Sequence, residues 1–263
     1  MVLAGVASCY GDTLLFATNG AGQFGTIDVT TGIFAQIGGL EPSTLWGLGW
    51  DGYILYGLTS QANPDLDIIN PSTGAITTVG ATGLSKYSIM SSTIGGALYA
   101  IDGSSSKLYT INPATGAAVF VANTGLPTGI GNYYDSMAGS ASNLYVTLNQ
   151  TLYIVNPLTG ATTDVGNMST THVLGSAWVN NQLYGFTDSA SQPFYIINTG
   201  NAQMTFAGDA TVDVYFATPN EAPEPGTVWL LCAGIIGLGA ARLRLPGRSF
   251  DVRRESHLRD GSV

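Results

Sequence analysis

The chain has 263 residues, of which 10% are charged, 10% are aromatic and 35 are glycine, and its net charge is −9. The charge is unevenly divided: residues 1–241 hold 14 acids against two lysines, Lys86 and Lys107, while all six arginines lie in residues 242–263. An acidic body with two bases excludes nucleic-acid binding, which needs clustered Lys and Arg, and β-rich chains of this length often form one domain.

Taken in order, residues 1–10 (MVLAGVASCY) are small and apolar like the end of a signal peptide, without its basic n-region or a full apolar core. The expectation is a signal-peptide remnant or a disordered start, with the natural start upstream. Cys9 and Cys232 stand one near the beginning and one in a late apolar run, so neither a mutual disulfide nor a metal site is expected.

Between residues 14 and 218 the chain repeats itself. The marker is a turn signal: Asp28-Val29-Thr30-Thr31-Gly32, Asn70-Pro71-Ser72-Thr73-Gly74, Asn112-Pro113-Ala114-Thr115-Gly116, Asn156-Pro157-Leu158-Thr159-Gly160 and a shortened Asn198-Thr199-Gly200. The glycines are 42, 42, 44 and 40 residues apart, within the range of propeller blades. Asn or Asp accepts local backbone hydrogen bonds, Pro presets φ, and Gly takes the positive φ that lets the next strand return.

Each turn is preceded by a strand signal, Leu15-Phe16, Leu55-Tyr56, Leu98-Tyr99, Leu144-Tyr145 or Leu183-Tyr184. These rings are expected between adjacent sheets, where flat side chains bury much area. In four cases a tight-turn pair stands before them, Asp51-Gly52, Gly95-Gly96, Ser142-Asn143 or Asn180-Asn181, all suited to positive φ. A further strand is expected at Leu45–Trp50, Tyr87–Ser92, Tyr133–Gly139, Val173–Val179 and Val212–Thr218.

Counting strands gives three in the first repeat, four complete sets, and one unpaired at the end. If that last strand joins the first repeat, a five-bladed β-propeller of four-stranded blades closes and leaves no long exposed edge. Residues 11–218 are expected to form this all-β domain. A truncated propeller with more blades, a solenoid or a sandwich are the alternatives.

The chemistry-bearing residues are sparse. Of two histidines, His172 precedes an inner strand and His257 lies in the tail, and there is no Gly-x-Ser-x-Gly, His-Glu-x-x-His or phosphate-loop signature. Asp135, His172 and Asp213 are the candidates for a channel-lining ligand site. Asp65 and Asp67, in Asn63-Pro64-Asp65-Leu66-Asp67, and Asp102, in Asp102-Gly103-Ser104, read as solvated loop acids. No catalytic residue, metal site or cofactor is expected.

The C-terminal region opens with Pro223-Glu224-Pro225-Gly226 in a linker at 219–226. From Thr227 to Ala241 no residue is charged, and a helix there rises roughly 22 Å. Extended to Leu245, with the arginine stems reaching the headgroups, a segment 227–245 spans about 30 Å and serves as one transmembrane helix. Arg242, Arg244 and Arg248 then act as stop and orientation signals that place tail 246–263 in the cytoplasm and the repeats outside.

Pro-Glu-Pro, a short apolar helix rich in Gly, Ala and Leu, and an arginine cluster together resemble the PEP-CTERM sorting signal of exopolysaccharide-producing Gram-negative bacteria. The resemblance implies that a membrane-embedded exosortase recognises Pro223, Glu224 and Pro225. It implies an inner-membrane protein with its propeller in the periplasm, passed on to the cell surface or biofilm matrix. The expected role is non-enzymatic: binding an exopolysaccharide or another surface protein, or building the layer that holds them. The alternatives are a surface polysaccharide hydrolase or lyase with paired carboxylates around Asp135 or Asp213, and a scaffold without ligand.

Overall fold

The structure, a computed structural model, describes residues 14–40, 45–93, 95–127, 136–168 and 172–220. The chain divides into two units, Met1–Pro223 and Glu224–Val263, and every described residue belongs to the first. Residues 1–10, the Pro-Glu-Pro motif, segment 227–245 and tail 246–263 lie outside the described residues.

Twenty strands are described: β1 (Leu14–Asn19), β2 (Gln23–Asp28), β3 (Phe34–Leu40), β4 (Leu45–Trp50), β5 (Leu55–Thr59), β6 (Asp65–Ile69) and β7 (Ile76–Ala81). Next come β8 (Ile89–Ser92), β9 (Leu98–Ile101), β10 (Lys107–Ile111), β11 (Ala118–Asn123), β12 (Ser136–Gly139), β13 (Leu144–Leu148), β14 (Thr151–Val155) and β15 (Thr162–Asn167). The chain of strands ends with β16 (Val173–Val179), β17 (Gln182–Thr187), β18 (Pro193–Ile197), β19 (Met204–Asp209) and β20 (Val214–Pro219).

They pair as antiparallel four-stranded meanders, β4 to β7, β8 to β11, β12 to β15 and β16 to β19, the first two joined by one parallel bridge between Gly47 and Met90. The remaining sheet has the order β20-β1-β2-β3, so the last strand completes the first sheet. Neighbours in space are β20 and β4, β4 and β8, β8 and β12, β12 and β16, and β16 and β20. The fold is all-β, built from β-propeller-like repeats.

Side-chain oxygens set the repeated turns. Oδ1 of Asp28, Asn70, Asn112, Asn156 and Asn198 accepts the N–H of the residue two further on, at 2.8–2.9 Å. Gly32, Gly74, Gly116 and Gly160 then take φ of 71°, 72°, 79° and 69°. The fifth turn departs from expectation. It is not shortened: Ala202, not Gly200, occupies the left-handed position, with φ 58° and its N–H on the Asn198 carbonyl at 2.8 Å.

Space explains which turns need glycine. A methyl on Gly32 would strike the Asp209 carbonyl of the neighbouring sheet, one on Gly116 the Gly80 carbonyl, and one on Gly160 would come 2.6 Å from the Asn123 carbonyl. Facing the fifth turn is Gly166, and even a methyl added there would stand 3.9 Å from the Ala202 methyl. An alanine therefore fits. The Ser142-Asn143 turn differs too: it has no positive φ, because the Ser140 hydroxyl accepts both N–H groups, at 3.4 and 3.1 Å.

The core is divided into five apolar clusters, each drawn from two adjoining sheets. Phe16, Tyr56, Tyr99, Tyr145 and Tyr184 are all buried in these clusters, where the Leu-Tyr pairs were expected to lie. The third and fourth strands of four repeats share a register shift that leaves Val79, Val121, Val165 or Ala207 without a partner. Each of these extra residues packs on the cluster towards the following sheet. The bulge turns the outer strand inward at that point.

Asp67 corrects a sequence expectation. It lies on β6, not in a loop, and is 2% exposed, with Oδ1 unpartnered among the described residues. Counting back three residues from each turn's Asn or Asp, the corresponding positions hold Gly25, Tyr109, Tyr153 and Tyr195. A carboxylate thus occupies a slot that three repeats fill with a ring. Burial pushes its carboxyl up, the Thr78 hydrogen bond pulls it down, and the Asp65 charge raises it further, with a net rise.

A carboxyl raised on folding contributes stability that is present below the usual carboxylate range and lost as pH rises through the folded value. Asp67→Asn removes that loss. At pH 7 the variant is expected to be more stable by about 1 kcal/mol, with a flatter profile between pH 4 and 7 in thermal melts.

Candidate functional site

His172 and Asp213, singled out from sequence, precede the neighbouring strands β16 and β20. Asp135 lies outside the described residues. His172 stands just before β16, as expected, with Nδ1 3.9 Å from Asp188 Oδ2 in the β17–β18 connection. Asp213 precedes β20 instead of lying on it; its carbonyl accepts the Gly20 N–H at 3.4 Å and its carboxylate lies against the same turn. An open depression of about 310 Å³ beside Trp178, Asn181, Gln182 and Thr199 contains none of them.

A different constellation gathers where β20, β4 and β8 begin. Trp46 of β4 reaches in two directions: its ring lies 5.0 Å from Tyr87, just before β8, and 6.4 Å from Phe216 of β20. All three rings are half-buried. The Lys86 ammonium stands 4.6 Å above the Tyr87 ring and is exposed. Tyr87 has φ 68°, a genuine outlier for a bulky residue.

The support for this conformation is Asp102. It was read as a solvated loop acid, yet it is 6% exposed and accepts five hydrogen bonds. Oδ2 takes the Ser85 N–H at 2.7 Å; Oδ1 takes the N–H and hydroxyl groups of Ser104 and Ser105 at 2.8–3.2 Å. Burial pushes the carboxyl up, but the Ser85 backbone N–H and the serine hydroxyls outweigh it, so it lies well below the usual carboxylate range.

Further bonds tie the two segments. Gly103 N–H donates to Ser88 Oγ at 3.1 Å, Ser104 N–H to Ser85 Oγ at 3.0 Å, and Ser88 Oγ to the Ser85 carbonyl at 2.7 Å. Gly103 is required there, since a methyl would come 2.7 Å from the Lys86 and Tyr87 carbonyls. Lys107 opens β10 directly after this turn, whose Asp102 N–H donates to the Lys107 carbonyl at 3.0 Å. Residues 85–88 and 102–107 thus form one rigid unit carrying both lysines. The signal legible in sequence was Tyr87 adjoining one of the two lysines.

The sorting-signal residues Pro223, Glu224 and Pro225 and the arginines Arg242, Arg244 and Arg248 lie outside the described residues, and no described helix is long and apolar enough to cross a membrane. No curated protein matches the chain. Among solved structures, a chain of the nidogen/laminin complex is similar at TM-score 0.48 and 11% identity, over 78% of this chain and 97% of that one. The extracellular domain of BT4673 from B. thetaiotaomicron is similar at TM-score 0.45 and 13% identity, over 78% of this chain and 28% of that one. A protein of unknown function from Bacteroides thetaiotaomicron VPI-5482 is similar at TM-score 0.48 and 16% identity, over 64% of this chain and 45% of that one. This chain spans under half the length of both bacterial structures, and likenesses at this level carry no argument about partners. Residues 221–244 match the family model of the PEP-CTERM protein-sorting motif. The chain is therefore a β-rich repeat protein carrying the sorting signal of exosortase substrates, which directs export to the cell envelope or surface.

Proposed function

We propose that the chain is a five-bladed β-propeller that acts outside the cell as a non-enzymatic binding or structural component of an exopolysaccharide-associated layer. Segment 227–245 first holds it in the inner membrane with the propeller in the periplasm, and an exosortase then processes it at Pro223, Glu224 and Pro225. The observation that carries this is the sorting motif at 221–244, which begins two residues after β20 ends at Pro219. The blade count is supported by the pairing of β20 with β1 and by the five clusters between adjoining sheets. The non-enzymatic role is supported by the structural use of the acids: Asp102 holds a turn and Asp67 is buried on β6.

Fractionation of the native host, with a tag in the repeat domain and the mature mass determined, tests this reading. The surface form is expected to lack the segment after Pro225, and replacing Pro223, Glu224 and Pro225 together by alanine should abolish that loss. An uncleaved protein in the cytoplasm sinks the proposal.

A further inference from the structure

We propose that Trp46, Lys86, Tyr87 and Lys107 form a binding site for an anionic polysaccharide, a polymer whose sugar units carry carboxylates. The proposal rests on the reading of the domain as an exported binding module and names its ligand class.

The first observation is electrostatic. Lys86 and Lys107 are the two bases of residues 1–241, against 14 acids, and they stand on two segments fastened to one another. Both are exposed. The ion pair His172–Asp188 is the one among the described residues, so neither ammonium group is held by a carboxylate there. Asp102 does not need them, because its five donors already satisfy it. Both ammonium groups are thus available to an anion. Within this unit two ammonium groups stand against one ionised carboxylate, Asp102, and repulsion from acids farther away is screened beyond about 8 Å at physiological salt.

The second observation is the pair of rings. A tyrosine in the left-handed region costs roughly 1–2 kcal/mol, and strain of this kind persists where the surroundings over-determine it, which is characteristic of functional sites. Here the Asp102 turn imposes it, and the result places Tyr87 beside Trp46 with Lys86 over its ring. A sugar ring presents C–H groups of slight positive charge to an aromatic face, while its carboxylate reaches an ammonium. The exposed Lys86 over the half-buried Tyr87 ring gains about 0.5–1 kcal/mol, little enough for a carboxylate to draw it away. Two lysines without arginine do not make a nucleic-acid surface, and the combination of rings and separated charges fits a uronate-bearing chain better than isolated phosphate.

The test uses the full chain in neutral detergent, titrated calorimetrically with polygalacturonate and, separately, with uncharged dextran. Polygalacturonate is expected to bind and dextran not to, with affinity falling as salt rises. Lys86→Gln, which removes no side-chain hydrogen bond and only the ring contact on Tyr87, should weaken binding roughly tenfold with a small fall in melting temperature. Trp46→Ala should weaken it further, its fold checked by the same melt. Equal affinity of Lys86→Gln and wild type, equal binding of dextran, absence of polygalacturonate binding, or full displacement by inorganic phosphate at matched charge each overturn the proposal. A protein that binds nothing yet reaches the surface removes this site alone; one retained in the cytoplasm removes the exported reading whatever it binds.

Discussion

Gly32→Ala is expected to lower the stability of the repeat domain by about 3 kcal/mol or more, the largest effect of any single methyl group considered. Two costs combine at this site. At φ 71° the new side chain meets its own backbone, and its methyl strikes the Asp209 carbonyl on the adjoining sheet. That carbonyl cannot withdraw easily, because the same junction is fastened on both sides: Thr211 N–H donates to the Gly32 carbonyl, and Phe34 N–H to the Thr211 hydroxyl, both at 2.9 Å. Gly83→Ala separates the two costs, since Gly83 has φ 74° with nothing within 4 Å of the added methyl. It should cost about 1 kcal/mol. Thermal melts of the two variants in detergent would measure the difference, and equal losses would show that strain alone matters.

Asp102→Ala should cost about 3 kcal/mol, because three N–H groups and two hydroxyls in part-buried bonds lose a charged acceptor at once. Asp102→Asn keeps one acceptor oxygen and should cost roughly half as much. The pH dependence has a definite sign. A carboxyl depressed on folding contributes stability that is present above the usual carboxylate range and lost as pH falls through the folded value, so wild type weakens in strong acid. The alanine variant lacks that slope. Asp67, raised on folding, has the opposite sign, and a double variant should show neither trend. Melts recorded from pH 2 to 8 would resolve both. A wild-type protein indifferent to acid would contradict the Asp102 assignment.

Most of the repeat was legible because its signals are local. An Asn or Asp accepting from the residue two further on, a glycine at positive φ and a buried Leu-Tyr pair each act within one turn or strand. The fifth turn misled for the same reason: Gly200 stood near the expected glycine, and only the room beside Gly166 revealed that Ala202 takes the left-handed position. Asp67 misled in another way, since it is buried within the folded sheet, opposite Gly57 and Thr78, and no neighbour in sequence announces it. Comparison across repeats would have exposed it as the acid in a column that otherwise holds Gly25, Tyr109, Tyr153 and Tyr195. The candidate site was least legible of all. Trp46, Tyr87 and Phe216 belong to three separate repeats, and rings in a β-rich chain look like core.

The pairing of β20 with β1 has a consequence for timing. An exported chain emerges from its N-terminal end, so the edge of β1 waits unpaired until almost the whole domain has crossed. Closing a loop of this size is entropically slow. Completion of the first sheet therefore comes last, when the residues just ahead of the sorting motif arrive. For that interval β1 presents an open edge, and the strand that closes it is the last one the domain makes.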